Sequence, residues 1–195
     1  IFFFFFQTKP DALKLYKSGD YLGAIAVCEK ELKDNPQNMD SYVVLCWSLV
    51  KNKQYSEANV QATNARKISK YDHRIIEILA EAKYHLGYND AALELFQEYI
   101  SLVSTNGSRL GIAYYYIGEI FILKGKYEHA DIALSQGVRV EPLNELWWTR
   151  LGYAREMSNN YNSAAIAYQK ALNLNPALQD AIQGQKRVMQ KIRGL

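Results

Sequence analysis

The chain has 195 residues, 49% of them apolar and 22% charged, which excludes a disordered chain and leaves enough material for a sizeable core. A net charge of +3 supplies no concentrated basic stripe of the kind nucleic acid demands, so no nucleic-acid partner is expected. Four prolines and eleven glycines recur at regular places rather than clustering in linkers.

The predicted elements begin after residues 1–6, an apolar run with no initiating Met, as expected of a fragment or a processed chain. Six residues cannot span a bilayer, which needs about 20, and no small-residue cleavage motif follows. The run is open to three origins: the remnant of a membrane anchor or signal, an added tail, or an apolar cap on the first helix. A short helix is expected from about Pro10 to Ser18, then the turn Gly19-Asp20-Tyr21 and a second helix with Ala24 and Leu32 that stops at Pro36. The pattern restarts at Met39, with Tyr42, Leu45, Cys46, the turn Lys53-Gln54-Tyr55, Ala58 and Ala65. It restarts again at His73, with Ala80, Gly87, Ala92 and Phe96. Four extra residues fall near Ser104 to Leu110, around the turn-forming Asn106-Gly107.

The last two hairpins are the clearest. Tyr114, Ile117, Gly118, Tyr127, Ala130 and Pro142 reappear, 34 residues on, as Trp148, Leu151, Gly152, Tyr161, Ala164 and Pro176. The expected boundaries are 5–38, 39–72, 73–110, 111–144 and 145–178. A closing helix over 179–195 has Ala181, Ile182, Gln185, Val188, Met189 and Ile192 as its inward seam. Its wet side carries Lys186, Arg187, Lys191 and Arg193. Each hairpin places one small residue at the helix crossing (Ala12, Cys46, Ala80, Gly118, Gly152) and another in the second helix (Ala24, Ala58, Ala92, Ala130, Ala164). Large apolar side chains fill the space on either side. No such hairpin buries its apolar faces alone, so neighbours must stack.

These residues resemble the tetratricopeptide repeat family over nearly the whole chain, most strongly in the fourth and fifth units. The first unit departs through Pro10, and the third lacks the terminal proline and the crossing glycine. The resemblance implies an all-α fold, a right-handed superhelical α-solenoid of antiparallel helix pairs with a concave groove lined by first helices. It places the second, fifth, ninth, twelfth and thirteenth residues of each unit in that groove. The candidate partner-binding residues are Trp47, Glu77, Glu81, Tyr84, Tyr115, Glu119, Tyr153 and Glu156. Their aromatic rings offer contact area and their carboxylates favour basic groups, so the expected partner is a protein or peptide with an apolar or mildly basic segment. Some family members grip an acidic C-terminal chaperone tail with Lys and Asn at the fifth and ninth positions. Val43 and Trp47, Glu77 and Glu81, Tyr115 and Glu119, and Thr149 and Tyr153 stand there instead, so that ligand is not expected.

No phosphate loop, nucleophile elbow, HExxH or paired CxxC is present, so catalysis and cofactors are not expected. His73, Glu77, Glu81 and His85 recur every four residues. A straight helix brings only neighbours to one ion, so this stripe is read as a polar helix face and no metal is expected. Cys28 and Cys46 fit buried free thiols, Trp147 is expected between repeats, and His129 is expected to be exposed. The leading expectation is a non-enzymatic scaffold or adaptor. The alternative is a membrane-tethered assembly subunit that uses residues 1–6 as anchor or self-association element, and so forms an oligomer. The corresponding locations are cytoplasmic or membrane-associated, with a bacterial cell envelope as one setting.

Overall fold

The computed structural model describes residues 11–104 and 107–194. The apolar run 1–6, Pro10 and the Asn106 side of the inter-repeat turn therefore lie outside the described residues. All regular structure among the described residues is helical. The helices are α1 (Ala12–Lys17), α2 (Tyr21–Asp34), α3 (Met39–Lys51), α4 (Tyr55–Ile68), α5 (His73–His85), α6 (Asn89–Leu102), α7 (Leu110–Leu123), α8 (Tyr127–Val140), α9 (Glu145–Met157), α10 (Tyr161–Leu174) and α11 (Gln179–Arg193). None is long and apolar enough to cross a membrane.

Five helix starts are set by short polar side chains. Asp11, Asp20, Asn38, Asp72 and Asn144 each accept a backbone N–H from the first turn of the helix that follows. Asp11 caps α1, whose first helical residue is Ala12, so the helix is shorter than the expected span from Pro10 to Ser18. First helices all stop in the same way. Gly19, Lys53, Gly87, Gly125 and Asn159 adopt positive φ. The next N–H in each case folds back onto the helix, as in Gln54 to the Leu49 carbonyl and Asn160 to the Arg155 carbonyl. This is the Schellman geometry, which satisfies carbonyls that a helix end otherwise leaves open. Second helices α2, α8 and α10 end two residues before Pro36, Pro142 and Pro176, respectively.

The chain divides into two compact units at Leu95/Phe96. In the first, α3 packs on α2 and α4, while α1, α3 and α5 touch in succession as a row of first helices. In the second, α9 packs on α8 and α10, and α7, α9 and α11 form the corresponding row. The small residues make this possible. Ala24, Ala58, Ala92, Ala130 and Ala164 are all fully buried. A Cβ at Gly118 would meet the buried Leu134 side chain at 2.5 Å, and one at Gly152 would meet the Tyr168 ring at 2.8 Å.

The closing helix docks through a seam of Ala181, Gly184 and Val188. Gly184 is absent from the seam expected by hydrophobicity, because it is the lack of a side chain that lets the Tyr168 ring lie against α11. Ile182 and Met189 are half-buried, and Ile192 is exposed rather than inward. Arg187 is exposed, as expected of the wet side, and also forks Glu156 at 2.6 and 2.8 Å, while the Tyr168 hydroxyl donates to the same carboxylate at 2.7 Å. Burial would raise the Glu156 pKa, but the hydrogen bonds from Arg187 and Tyr168 outweigh it and hold the carboxyl below its usual value.

Three outcomes are expected. Lys53→Gly relieves a left-handed L-residue and should raise stability by about 0.5–1 kcal/mol in urea melts. Gly152→Ala should lower it by about 1 kcal/mol or more, because the buried ring cannot retreat and overpacking exceeds the gain in helix propensity. The depressed Glu156 pKa contributes stability that is present at neutral pH and lost as pH falls through that value. Wild type should therefore lose more stability than Glu156→Gln between about pH 5 and about pH 3 in thermal melts.

Candidate protein-interaction face

Successive first helices present the second, fifth and ninth residues of each unit along one side, since these positions recur on one face of an α-helix. In the first unit, Asp40, Val43 and Trp47 of α3 and Arg74 of α5 line a cleft of about 650 Å³, together with Ala12, Leu13 and Glu31. Trp47 stacks on Tyr16 at 5.7 Å. Its indole Nε1 is buried without an acceptor among the described residues, an omission worth about 1–3 kcal/mol. Arg74 forks Asp72 and reaches Asp40 at 2.8 Å, tying α3 to α5. The hydrogen bond to Asp72 leads the causes that raise the Arg74 pKa, and Arg74 in turn holds Asp72 below the usual carboxylate range against its burial.

Glu77 and Glu81 are buried, at 1% and 6% exposure, rather than open to the groove. Tyr84 is half-buried with its ring edge-on to His85 at 5.3 Å, and His85 stacks on Tyr55 at 4.2 Å. Burial lowers the His85 pKa, with Glu81 opposing. No group of three or more His, Cys, Asp or Glu among the described residues is placed to hold a metal. Cys28 and Cys46 are buried free thiols; burial, then Glu31 and Glu29, pushes the Cys28 pKa up to about 12, and burial raises Cys46 as well.

In the second unit, Tyr115 stacks on Trp147 at 5.3 Å with nearly parallel rings, and Trp147 is buried between α7, α8 and α9. Trp148 is half-buried and donates its indole N–H to the Pro142 carbonyl at 2.8 Å. Glu119 accepts from Arg150 Nε at 2.6 Å, and the same guanidinium lies 5.1 Å over the Tyr153 ring. Thr149, Arg150, Tyr153 and Tyr168 line a cleft of about 380 Å³ with Asp180, Gln183 and Arg187 of α11. Leu123, Leu146 and Met157, at the second and thirteenth positions, are exposed at 64%, 55% and 41%. His129 is exposed on α8.

The structure thus brings Tyr153, Arg150 and Arg187 to one cleft, and Trp47 to another. Glu119 and Glu156 become anchors for arginines of the next first helix. Those arginines were not among the sequence candidates, although both sit 31 residues after their glutamates, an offset readable in the sequence.

The tetratricopeptide repeat family matches residues 148–178. The peroxisomal targeting signal receptor of Saccharomyces cerevisiae is 25% identical over 168 residues, which cover 80% of this chain and 26% of that receptor; the chain spans about a quarter of its relative's length. Among solved structures, pilF of Pseudomonas aeruginosa superposes with a TM-score of 0.80 at 13% identity, covering 93% of this chain and 81% of its own. YrrB, described as a TPR protein with an unusual peptide-binding site, has a TM-score of 0.71 at 18% identity, with 90% and 88% covered. The repeat match at residues 148–178, the all-helical hairpins and these superpositions show a tetratricopeptide-repeat fold, an α-solenoid of antiparallel helix pairs.

Proposed function

We propose that the chain is a non-enzymatic interaction module whose first-helix face receives a segment of a partner protein. The observation that carries this reading is that, in each unit, a cleft opens among residues at the second, fifth and ninth positions of the first helices. On the first helices of the second unit, Leu123, Leu146 and Met157 leave apolar surface in water, which a partner would cover. Trp47 adds a large half-buried ring to the lining of the first cleft, an apolar contact surface for a bound segment. The similar yeast protein is by name a receptor for a targeting signal, and YrrB is described as binding peptide; both favour a peptide segment as the ligand class.

Apolar complementarity supports the expected partner better than charge does. The basic preference rested on four carboxylates, of which Glu77 and Glu81 are buried and Glu119 and Glu156 carry arginines. Tyr115 and Glu119 are poor test positions for the same reason, since they hold Trp147 and Arg150. Leu146→Ser together with Trp47→Ala removes contact surface with less cost to packing. Proteins co-purified from the native cell by wild type should be depleted about tenfold or more on this variant, with unchanged circular dichroism. Identical partners on both would place binding on another surface.

A further inference from the structure

The closing helix continues the row of first helices instead of only ending it. It starts at Gln179, 34 residues after α9 starts at Glu145, so Asp180, Gln183 and Arg187 take the positions that Leu146, Thr149 and Tyr153 hold on α9. These three residues line the same cleft as Thr149, Arg150, Tyr153 and Tyr168.

That cleft is rich in donors. Arg150 commits only Nε, to Glu119, and Arg187 commits Nε and Nη2, to Glu156. Neither Nη group of Arg150 makes a hydrogen bond among the described residues, Arg187 also lies beside the Tyr168 hydroxyl, and the two side chains remain 34% and 51% exposed. The hydroxyls of Thr149 and Tyr168 already donate, to the Glu145 carbonyl and to Glu156. Asp180 is the one anionic side chain of the lining, against two guanidinium groups. Arg150 is pinned at Nε and laid on the Tyr153 ring, so its outer edge is a fixed fork of N–H groups. A planar fork of this kind matches a carboxylate in two-point contact, which a lysine cannot do. Burial opposes the charge on Arg150, but Glu119 outweighs it and raises the pKa, so the fork stays protonated. The paired glutamates cancel much of the net charge, which makes recognition a matter of short-range geometry more than long-range attraction.

We propose that this cleft is the subsite for an acidic side chain, Asp or Glu, of the partner segment, held by Arg150 and Arg187 beside the Tyr153 ring. The proposal rests on the first-helix face being the docking face, and it assigns this end of the second unit the opposite charge preference from the one expected from sequence.

The test uses the full chain and three fluorescently labelled, N-acetylated, C-amidated peptides in which Leu alternates with Glu, Lys or Ser, followed by anisotropy. The Glu peptide should bind about tenfold tighter than the Lys peptide. Arg187→Lys, which keeps the charge and loses the fork, and Arg150→Gln should each weaken the Glu peptide about fivefold and leave the Ser peptide unchanged. Arg187 is half exposed, so its variant keeps the test valid if Arg150→Gln fails to fold. Equal affinity for the Glu and Lys peptides, or an Arg187→Lys variant that binds as wild type, overturns the subsite. If Leu146→Ser still weakens all three peptides in that case, the docking face stands without it. Binding of none of the peptides overturns both. A gain that appears only when the Glu peptide has a free C-terminus places the anion at the chain end and overturns the side-chain assignment.

Discussion

Close approach of helix backbones at glycine and alanine is the constraint on which the rest of this structure depends. Tyr168 shows it most plainly. Its ring is buried between Gly152 of α9 and Gly184 of α11, at positions where any Cβ would strike it. The ring fills the space that two missing side chains leave, and its hydroxyl reaches Glu156, so one residue couples apolar packing to the polar contact that secures the last helix. Gly118 and Leu134 repeat the arrangement one hairpin earlier. Because each hairpin leaves apolar surface for its neighbour, stability in such an array is shared between repeats and the interfaces that join them.

The same packing creates the face proposed to bind. When second helices wedge between successive first helices, the first helices are left in a row whose outer residues face a cleft rather than a neighbour. Arginines cross that row. Arg74 joins Asp40, Arg150 joins Glu119, and Arg187 joins Glu156, each linking one first helix to the next within its unit. Exposed ion pairs contribute little, but Glu119 and Glu156 are largely buried at their carboxylates, where loss of one partner costs more. These pairs fix the spacing of the helices and leave guanidinium edges in the cleft of the second unit. Geometry needed for folding thus supplies groups available for recognition.

Much of the fold is legible in the sequence because each local device has a residue-level cause. The small residues at 118, 130, 152 and 164 announce the crossings, and the prolines at 36, 142 and 176 mark where second helices end. The turns are legible even without glycine, since Lys53 and Asn159 stand where Gly19, Gly87 and Gly125 stand in the other units. Gly184 escaped because hydrophobic periodicity counts side chains and cannot register the value of an absent one. The arginine links escaped because each joins two helices across an intervening one, where neither residue is conspicuous alone. For the same reason a glutamate such as Glu119 reads as an open groove charge until its partner is placed beside it.

The most direct measurement compares two exposed positions on opposite sides of the same unit. A photo-crosslinking amino acid is placed at Leu146, on the first-helix face and 55% exposed, or at Ile166, on α10 and 61% exposed, and the chain is irradiated in its native cell. Their similar exposure makes the two sites comparably able to capture chance neighbours. A discrete adduct with a second protein from position 146, and none from 166, is the result that a first-helix docking face predicts. The same adduct from 166 alone would contradict it and move the interaction to the second-helix side.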